Sequence, residues 1–243
     1  MTEIFELCLP GPSAAAEPVH PTLVKGRSAL VLFDAGYPGQ ADAIEGELRE
    51  AGFALGDLTH IVVSHQDHDH VGSLAELKRR NPSAIVVASA LEAPYIAGEA
   101  ESLRIGQARE YNRSLQGAER DWGEAFLRYL STIEPCAVDR PVGDFPEAID
   151  EGIEILWTPG HTPGHVSLLV KDLKTLLAGD ALARGNGSLA IANPQFTLDL
   201  ATCGRTIRSV AGLGLDRILC YHGGAADVAD GKALGELVAS LGA

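Results

Sequence analysis

His65-Gln66-Asp67-His68-Asp69-His70 places three of the chain's eight histidines and two aspartates in six consecutive positions. Imidazoles and carboxylates are the side chains that hold divalent cations. The run follows the apolar, β-branched Ile61-Val62-Val63 and precedes a helical pattern, so it falls on a strand-to-helix turn that is rigid on both sides. The plain alternative is a solvated polar loop, and three further segments argue against it. Trp157-Thr158-Pro159-Gly160-His161-Thr162-Pro163-Gly164-His165 follows the strand-like Ile153 to Leu156. Leu176-Leu177-Ala178-Gly179-Asp180 ends an apolar run on an aspartate, and Ile218-Leu219-Cys220-Tyr221-His222 ends another on a histidine. In layered α/β folds such strand ends often cluster along one edge, so these segments can converge.

As a set these motifs resemble the metallo-β-lactamase superfamily. The usual pattern there is His-x-His-x-Asp-His, then a distant His, a bridging Asp and a final His. His65, Asp69 and His70 match the first motif, His161 the second, Asp180 the third and His222 the fourth. Asp34, in Leu32-Phe33-Asp34-Ala35-Gly36, resembles the family's aspartate that supports the ligands from behind. The resemblance covers nearly the whole chain. It implies a four-layer αβ/βα sandwich with two divalent ions, zinc first and iron or manganese as alternatives. His65, Asp67 and His161 would hold one ion, Asp69, His70 and His222 the other, and Asp180 would bridge them. A hydroxide shared by the ions would attack a carbonyl, and Asp69 would pass a proton to the leaving group.

One position departs from the pattern. Aligning Asp69-His70-Val71-Gly72 with the motif puts Asp67, not a histidine, at the second ligand position. A rival register makes His68 the ligand but breaks the Asp-His-x-Gly match. With Asp67 as ligand, three carboxylates and a hydroxide neutralise two divalent ions. The usual site, with one carboxylate fewer, keeps a net positive charge. A more neutral site is a weaker Lewis acid, and a carboxylate in place of an imidazole favours harder ions.

The other histidines have simpler readings. His165 should start a strand and hydrogen-bond behind the site rather than ligate. His68 belongs at the pocket rim or in solvent, His60 on the surface, and His20 in a turn-prone stretch. Asp34 either orients a ligand imidazole or is a plain turn aspartate.

Two β-then-α halves must position these groups. Strands are expected over residues 28–33, 61–63 and 84–88 in the first half. In the second they are expected over 153–157, 166–170, 175–178 and 217–221. Helices are expected over 40–51, 71–80, 200–213 and 230–241. Periodicity alone gives only α/β; the sandwich comes from the resemblance. Between the halves, about 91–130, lies a helical insert holding Tyr95, Tyr111, Trp122, Phe126 and Tyr129. It is either a hairpin packed on the sheet or a cap whose aromatics shape the pocket. The whole chain, 1–243, reads as a single domain.

The 243 residues, 46% hydrophobic, suffice for a substantial core. A net charge of −14 argues against nucleic acid or an anionic membrane as partner. The expected partner is a small-molecule substrate, and a homodimer is compatible with the sequence. Cys8, Cys136, Cys203 and Cys220 are scattered and read as reduced thiols. Acidic residues stand near Met1 where a signal peptide needs Lys or Arg, and no apolar run is long enough for a bilayer, which points to the cytoplasm. The leading function is a dinuclear metal hydrolase of a small ester, lactone, thioester or amide. The alternative is a dinuclear iron protein of the same fold that binds or reduces oxygen, since oxygen-handling relatives also carry a carboxylate at the Asp67 position.

Overall fold

β-Branched and leucine-rich runs of three to five residues make up most strands of two six-stranded sheets, and amphipathic helices cover their outer faces. The computed structural model describes residues 1–13, 16–143 and 146–241. The first sheet contains β1 (Glu3–Glu6), β2 (Thr22–Lys25), β3 (Leu30–Phe33), β4 (His60–Val62), β5 (Ile85–Ser89) and β6 (Arg140–Val142), in that order. β1, β2 and β3 pair antiparallel, and β3 through β6 pair parallel. The second sheet runs antiparallel through β7 (Glu147–Asp150), β8 (Ile153–Trp157), β9 (Val166–Val170) and β10 (Thr175–Leu177). A small hairpin, β11 (Ala183–Gly185) and β12 (Ser188–Ala190), leaves the sheet. Then β13 (Arg217–Cys220) pairs parallel with β10, and β14 (Gly224–Asp227) pairs antiparallel with β13.

The inner faces of the two sheets meet in one apolar layer. Val31, Phe33, Val62 and Val87 come from the first sheet, and Ile155, Val166, Leu168 and Leu219 from the second. Outside the first sheet pack α1 (Ala41–Glu50), which buries Ala41, Ile44 and Leu48, and α3 (Leu74–Arg80), which buries Leu74, Ala75 and Leu77. Outside the second pack α7 (Leu200–Ala211) and α8 (Lys232–Ser240). The sequence spaces these apolar residues on one stripe per helix, which is why each helix has one inward face. The order is helix, sheet, sheet, helix, as the resemblance implied.

The expected helix over 71–80 differs in one respect. A single turn, α2 (His68–Val71), precedes α3, and Gly72 and Ser73 separate them. Their N–H groups bond to Gly36 O (2.9 Å) and Ala35 O (3.2 Å) instead of continuing a helical ladder. A Cβ on Gly72 would lie 2.2 Å from Pro38 N, so only glycine lets the two loops meet there. The insert folds as α4 (Ala93–Ile96), α5 (Leu103–Ser114) and α6 (Gly117–Leu130). Among the described residues, no helix is long and apolar enough to cross a membrane.

Candidate metal centre

Chain direction explains why the polar groups gather. Asp34 follows β3, His65 follows β4, His161 follows β8, Asp180 follows β10 and His222 follows β13. The ends of these strands share one edge of the sandwich. There, Nε2 or carboxylate oxygens of His65, His161 and Asp180 form one close group, and those of Asp69, His70 and His222 form another. Asp180 spans both: Oδ2 is 3.5 Å from His161 Nε2, and Oδ1 is 3.4 Å from both His70 Nε2 and His222 Nε2. Asp69 Oδ2 stands 3.3 Å from His222 Nε2. Asp67 Oδ2 lies 3.3 Å from His65 Nε2 and 3.2 Å from His161 Nε2, so it faces the first group. His68 does not join either group. Its ring is packed at the rim among Tyr37, Phe126 and Tyr129.

The donor set fits divalent cations on its own chemistry. His65 Nε2, Asp67 Oδ1, His70 Nε2, Asp180 Oδ1 and His222 Nε2 are all buried without a satisfactory hydrogen-bond partner. Native proteins rarely leave buried polar atoms this way, and five at one spot call for a ligand that accepts lone pairs.

The opposite side of three of the rings is tied down so that the lone pair points inward. His70 Nδ1 donates to Asp34 Oδ2 at 2.9 Å. Asp34 is fully buried at φ +67°, and its carboxylate also accepts from Ser64 N (2.7 Å) and Ser64 Oγ (2.9 Å). Asp34 therefore orients an imidazole and is not a plain turn residue. His65 Nδ1 lies 2.9 Å from Ser64 Oγ, and His161 Nδ1 lies 3.3 Å from Thr197 Oγ1. His165 works from behind as expected, accepting the Asp180 N–H at Nε2 (2.9 Å). Gly179, at φ +53°, must lack a side chain because a Cβ would lie 2.8 Å from that same Nε2.

Charge follows from these contacts. Burial, then the neighbouring His65 and His161, push His165 well below its ordinary pKa, so it stays a neutral acceptor. Burial alone would lower His70, but Asp34, Asp69 and Asp180 outweigh it and hold the ring well above the usual range. A cation at the edge therefore displaces protons when it binds.

Four functional residues were missed in the sequence. Arg104, on α5, is buried and reaches Asp67 Oδ2 through both Nε (3.0 Å) and Nη2. Nη2 also lies 3.2 Å from His161 Nε2, and Nη1 donates to Phe196 O at 2.7 Å. Burial resists charge on Asp67, but Arg104 and then His65 overcome it and keep the carboxyl well below its ordinary range. This changes the expected electrostatics: the guanidinium returns the positive charge that Asp67 removes. Nothing in the local pattern of α5 marks Arg104 among the insert's arginines. Glu92, fully buried, accepts from Gln66 N (3.1 Å), Gln66 Nε2 (3.0 Å) and Gly164 N (2.9 Å), and so joins the first motif to the second. Gln66 in turn accepts from Leu103 N at 2.7 Å, fixing the start of α5. Tyr221 donates its hydroxyl to the Asp69 carbonyl, and its ring lies 4.0 Å from that of His70.

The remaining polar residues behave more simply. His20 Nδ1 sits 3.0 Å from Glu6 Oε1, and His60 Nδ1 sits 2.9 Å from Thr59 Oγ1. The four cysteines are free. Burial first, then nearby carboxylates, lift Cys220 to about 12, in keeping with a core thiol. A cavity of about 320 Å³ opens on the edge, bounded by Tyr37, Asp67, Asp69, His161, Asp180 and His222 together with Trp122 and Phe126 of α6. The insert is thus a cap over the edge, the second of the two readings open from the sequence.

Comparison with known proteins agrees with this geometry. The chain is 30% identical over 207 residues to the probable metallo-hydrolase YflN of Bacillus subtilis, covering 80% of this chain and 75% of that one. It is 32% identical over 145 residues to a hydroxyacylglutathione hydrolase of Aliivibrio fischeri, covering 60% of this chain but only 40% of that one. The crystal structure of a metallo-β-lactamase family protein from Thermus thermophilus superimposes with a TM-score of 0.72 at 23% identity, over 98% of this chain and 78% of that one. The profile of the metallo-β-lactamase superfamily matches residues 15–222, and the chain belongs to that superfamily.

Proposed function

We propose that this chain is a dinuclear metal-dependent hydrolase of a small ester, lactone, thioester or amide. The observation that carries the reading is Asp180, whose two oxygens face two separate groups of imidazoles. His65, Asp67 and His161 would hold one ion, Asp69, His70 and His222 the second, and Asp180 both. The nitrogen-rich set without thiolate suits zinc, with iron and manganese as competitors. Relatives named probable metallo-hydrolase and hydroxyacylglutathione hydrolase support hydrolysis. When bound, the ions supply an acidified water and a Lewis acid for a carbonyl.

The chain's own residues do the rest. Ser64, Asp34 and Thr197 hold three imidazoles in one tautomer, so no rotation is needed at the moment of reaction. His165 and Gly179 fix the backbone of Asp180. Asp69 Oδ2 faces His222, while Oδ1 turns toward His68 Nδ1 at 3.7 Å. Asp69 Oδ1 would take a proton at the cavity wall and return it to a leaving group. Arg104 neutralises Asp67, so with two divalent ions bound the site would keep more positive charge than Asp67 alone would leave it, which would favour developing negative charge on a carbonyl oxygen.

The test is metal analysis with a panel of esters, lactones, thioesters and β-lactams on metal-defined protein. Two zinc ions per chain and turnover of at least one class are expected, and Asp180→Ala should lose at least one ion and all turnover. Full activity in that variant would remove the bridge. An oxygen-sensitive iron pair with no hydrolysis would favour oxygen handling instead, and a single ion would leave Arg104 as the standing cation of the first group.

A further inference from the structure

We propose that the groove between α5 and α6 is a substrate subsite for an uncharged apolar tail, an acyl chain or aryl group attached to the bond cut at the metal edge. The proposal rests on the hydrolase reading for its chemistry, but the subsite stands on its own geometry.

Trp122, Phe126 and Tyr129 are spaced at i, i+4 and i+7 on α6, so they share one face. The Trp122 and Phe126 rings lie parallel at 5.4 Å and 9°, and Phe126 and Tyr129 at 6.3 Å and 25°. The row ends against His68 at the rim of the metal edge, 5.6 Å from Phe126 and 5.5 Å from Tyr129. Across from it, the Phe196 ring packs under the Arg104 guanidinium at 5.1 Å. Between these walls is a cavity of about 560 Å³. It shares Arg104, Trp122, Phe126 and Phe196 with the smaller cavity on the metal edge, so the two adjoin along these four side chains. A group cut at the edge can extend into the groove without leaving the protein surface.

The walls select by chemistry. Trp122 keeps 60% of its surface exposed and Phe196 37%, a large apolar area left uncovered inside a concavity. Among the described residues, Arg104 is the one cation on the walls of the larger cavity, and Asp67 already engages it. Glu110 adds a carboxylate at the boundary. An anionic tail, such as the peptide part of a glutathione thioester, would meet no free positive charge there. A neutral chain would cover Trp122, Phe126 and Phe196 and gain the burial they lack.

Two measurements test this. The first is kcat/KM on zinc-loaded protein for esters of one phenol, from acetate through octanoate. We expect a rise of about fourfold per methylene until the groove is filled. Replacing Trp122 and Phe126 together by alanine should flatten that slope and lower the octanoate value tenfold or more. The second reads binding without catalysis. In a Trp157→Phe background Trp122 is the remaining tryptophan, and metal-free protein is titrated with octanamide or acetamide. Octanamide should shift Trp122 emission and acetamide should not.

A flat chain-length series with no emission change would overturn the subsite while leaving hydrolysis intact. Octanamide binding with no ester cleaved would uphold the subsite and remove the hydrolase reading. A dimer that becomes monomeric in the double alanine variant would assign the aromatic row to a second copy of the chain, and would also overturn the proposal.

Discussion

Asp67 and Arg104 act as one unit at the position that the usual motif gives to a histidine, and their chemistry must be judged together. Replacing Asp67 by histidine would leave a buried guanidinium beside imidazoles with no carboxylate. Breaking such a pair costs about 3–5 kcal/mol. We expect Asp67→His alone to lose the first ion and to unfold at lower temperature. Asp67→His with Arg104→Met should recover both, because the cation leaves with its partner. Metal content and melting curves of the three proteins check this; a single variant that behaves like the parent would break the coupling. At the same scale, Asp34→Asn keeps an acceptor for His70 Nδ1 but removes its charge. Metal affinity should fall about 10–100-fold by chelator competition, with the fold unchanged by circular dichroism. Asp34 could be suspected from its place after β3, whereas Arg104 could not. One arginine on a charged helix looks like its solvated neighbours until the chain brings α5 back over the β4 end.

Most elements that carry the candidate ligands could be read from the sequence because each combines an apolar run with a turn signal. Ile153–Trp157 and Val166–Val170 form as expected. The strands that escaped detection, such as β1, β7, β11 and β12, have three or four residues and mixed polarity. Such segments are strands only because a neighbour supplies hydrogen bonds. The break at Gly72 was hidden for the same reason, since its cause is the Ala35–Gly36 loop. One inter-sheet clamp makes a prediction at this scale. Asp150, the last residue of β7, accepts from Ser28 N (2.7 Å), Ser28 Oγ (2.9 Å) and Ala29 N (2.8 Å) next to β3, joining one sheet to the other. Slight burial opposes ionisation, yet these donors win and draw Asp150 down to about 2. A carboxyl lowered on folding stabilises above its unfolded pKa near 4, and that contribution fades as pH falls toward 2. Asp150→Ala should therefore cost about 1 kcal/mol at neutral pH and nearly nothing at pH 2, by denaturant titration at both. Equal losses at both pH values would show that the clamp acts through packing and not through charge.

Across the whole molecule, the two halves of the sandwich meet at an edge crowded with three aspartates and several imidazoles. If cations bind there, they should tie the two halves together more firmly than the pairing of imidazoles with carboxylates alone. Ions at a thousandfold excess over their dissociation constant should add about 4 kcal/mol, or on the order of 10 °C in melting temperature for a chain of this size. Melting with zinc and with a chelator measures it, and superimposed curves would show that the edge gains nothing from metal. The cap belongs to this balance as well. Through Gln66 and Glu92 it is anchored to the ligand loops, and through Arg104 it donates the charge that Asp67 requires. A chimera that grafts this lid onto a cousin bearing histidine at that place would import an orphan cation. Grafting a cousin's lid here would strand an aspartate. If both proposals hold, selectivity and metal affinity would not drift apart in such a lineage, because the segment that chooses the guest would also tune the ions beneath it.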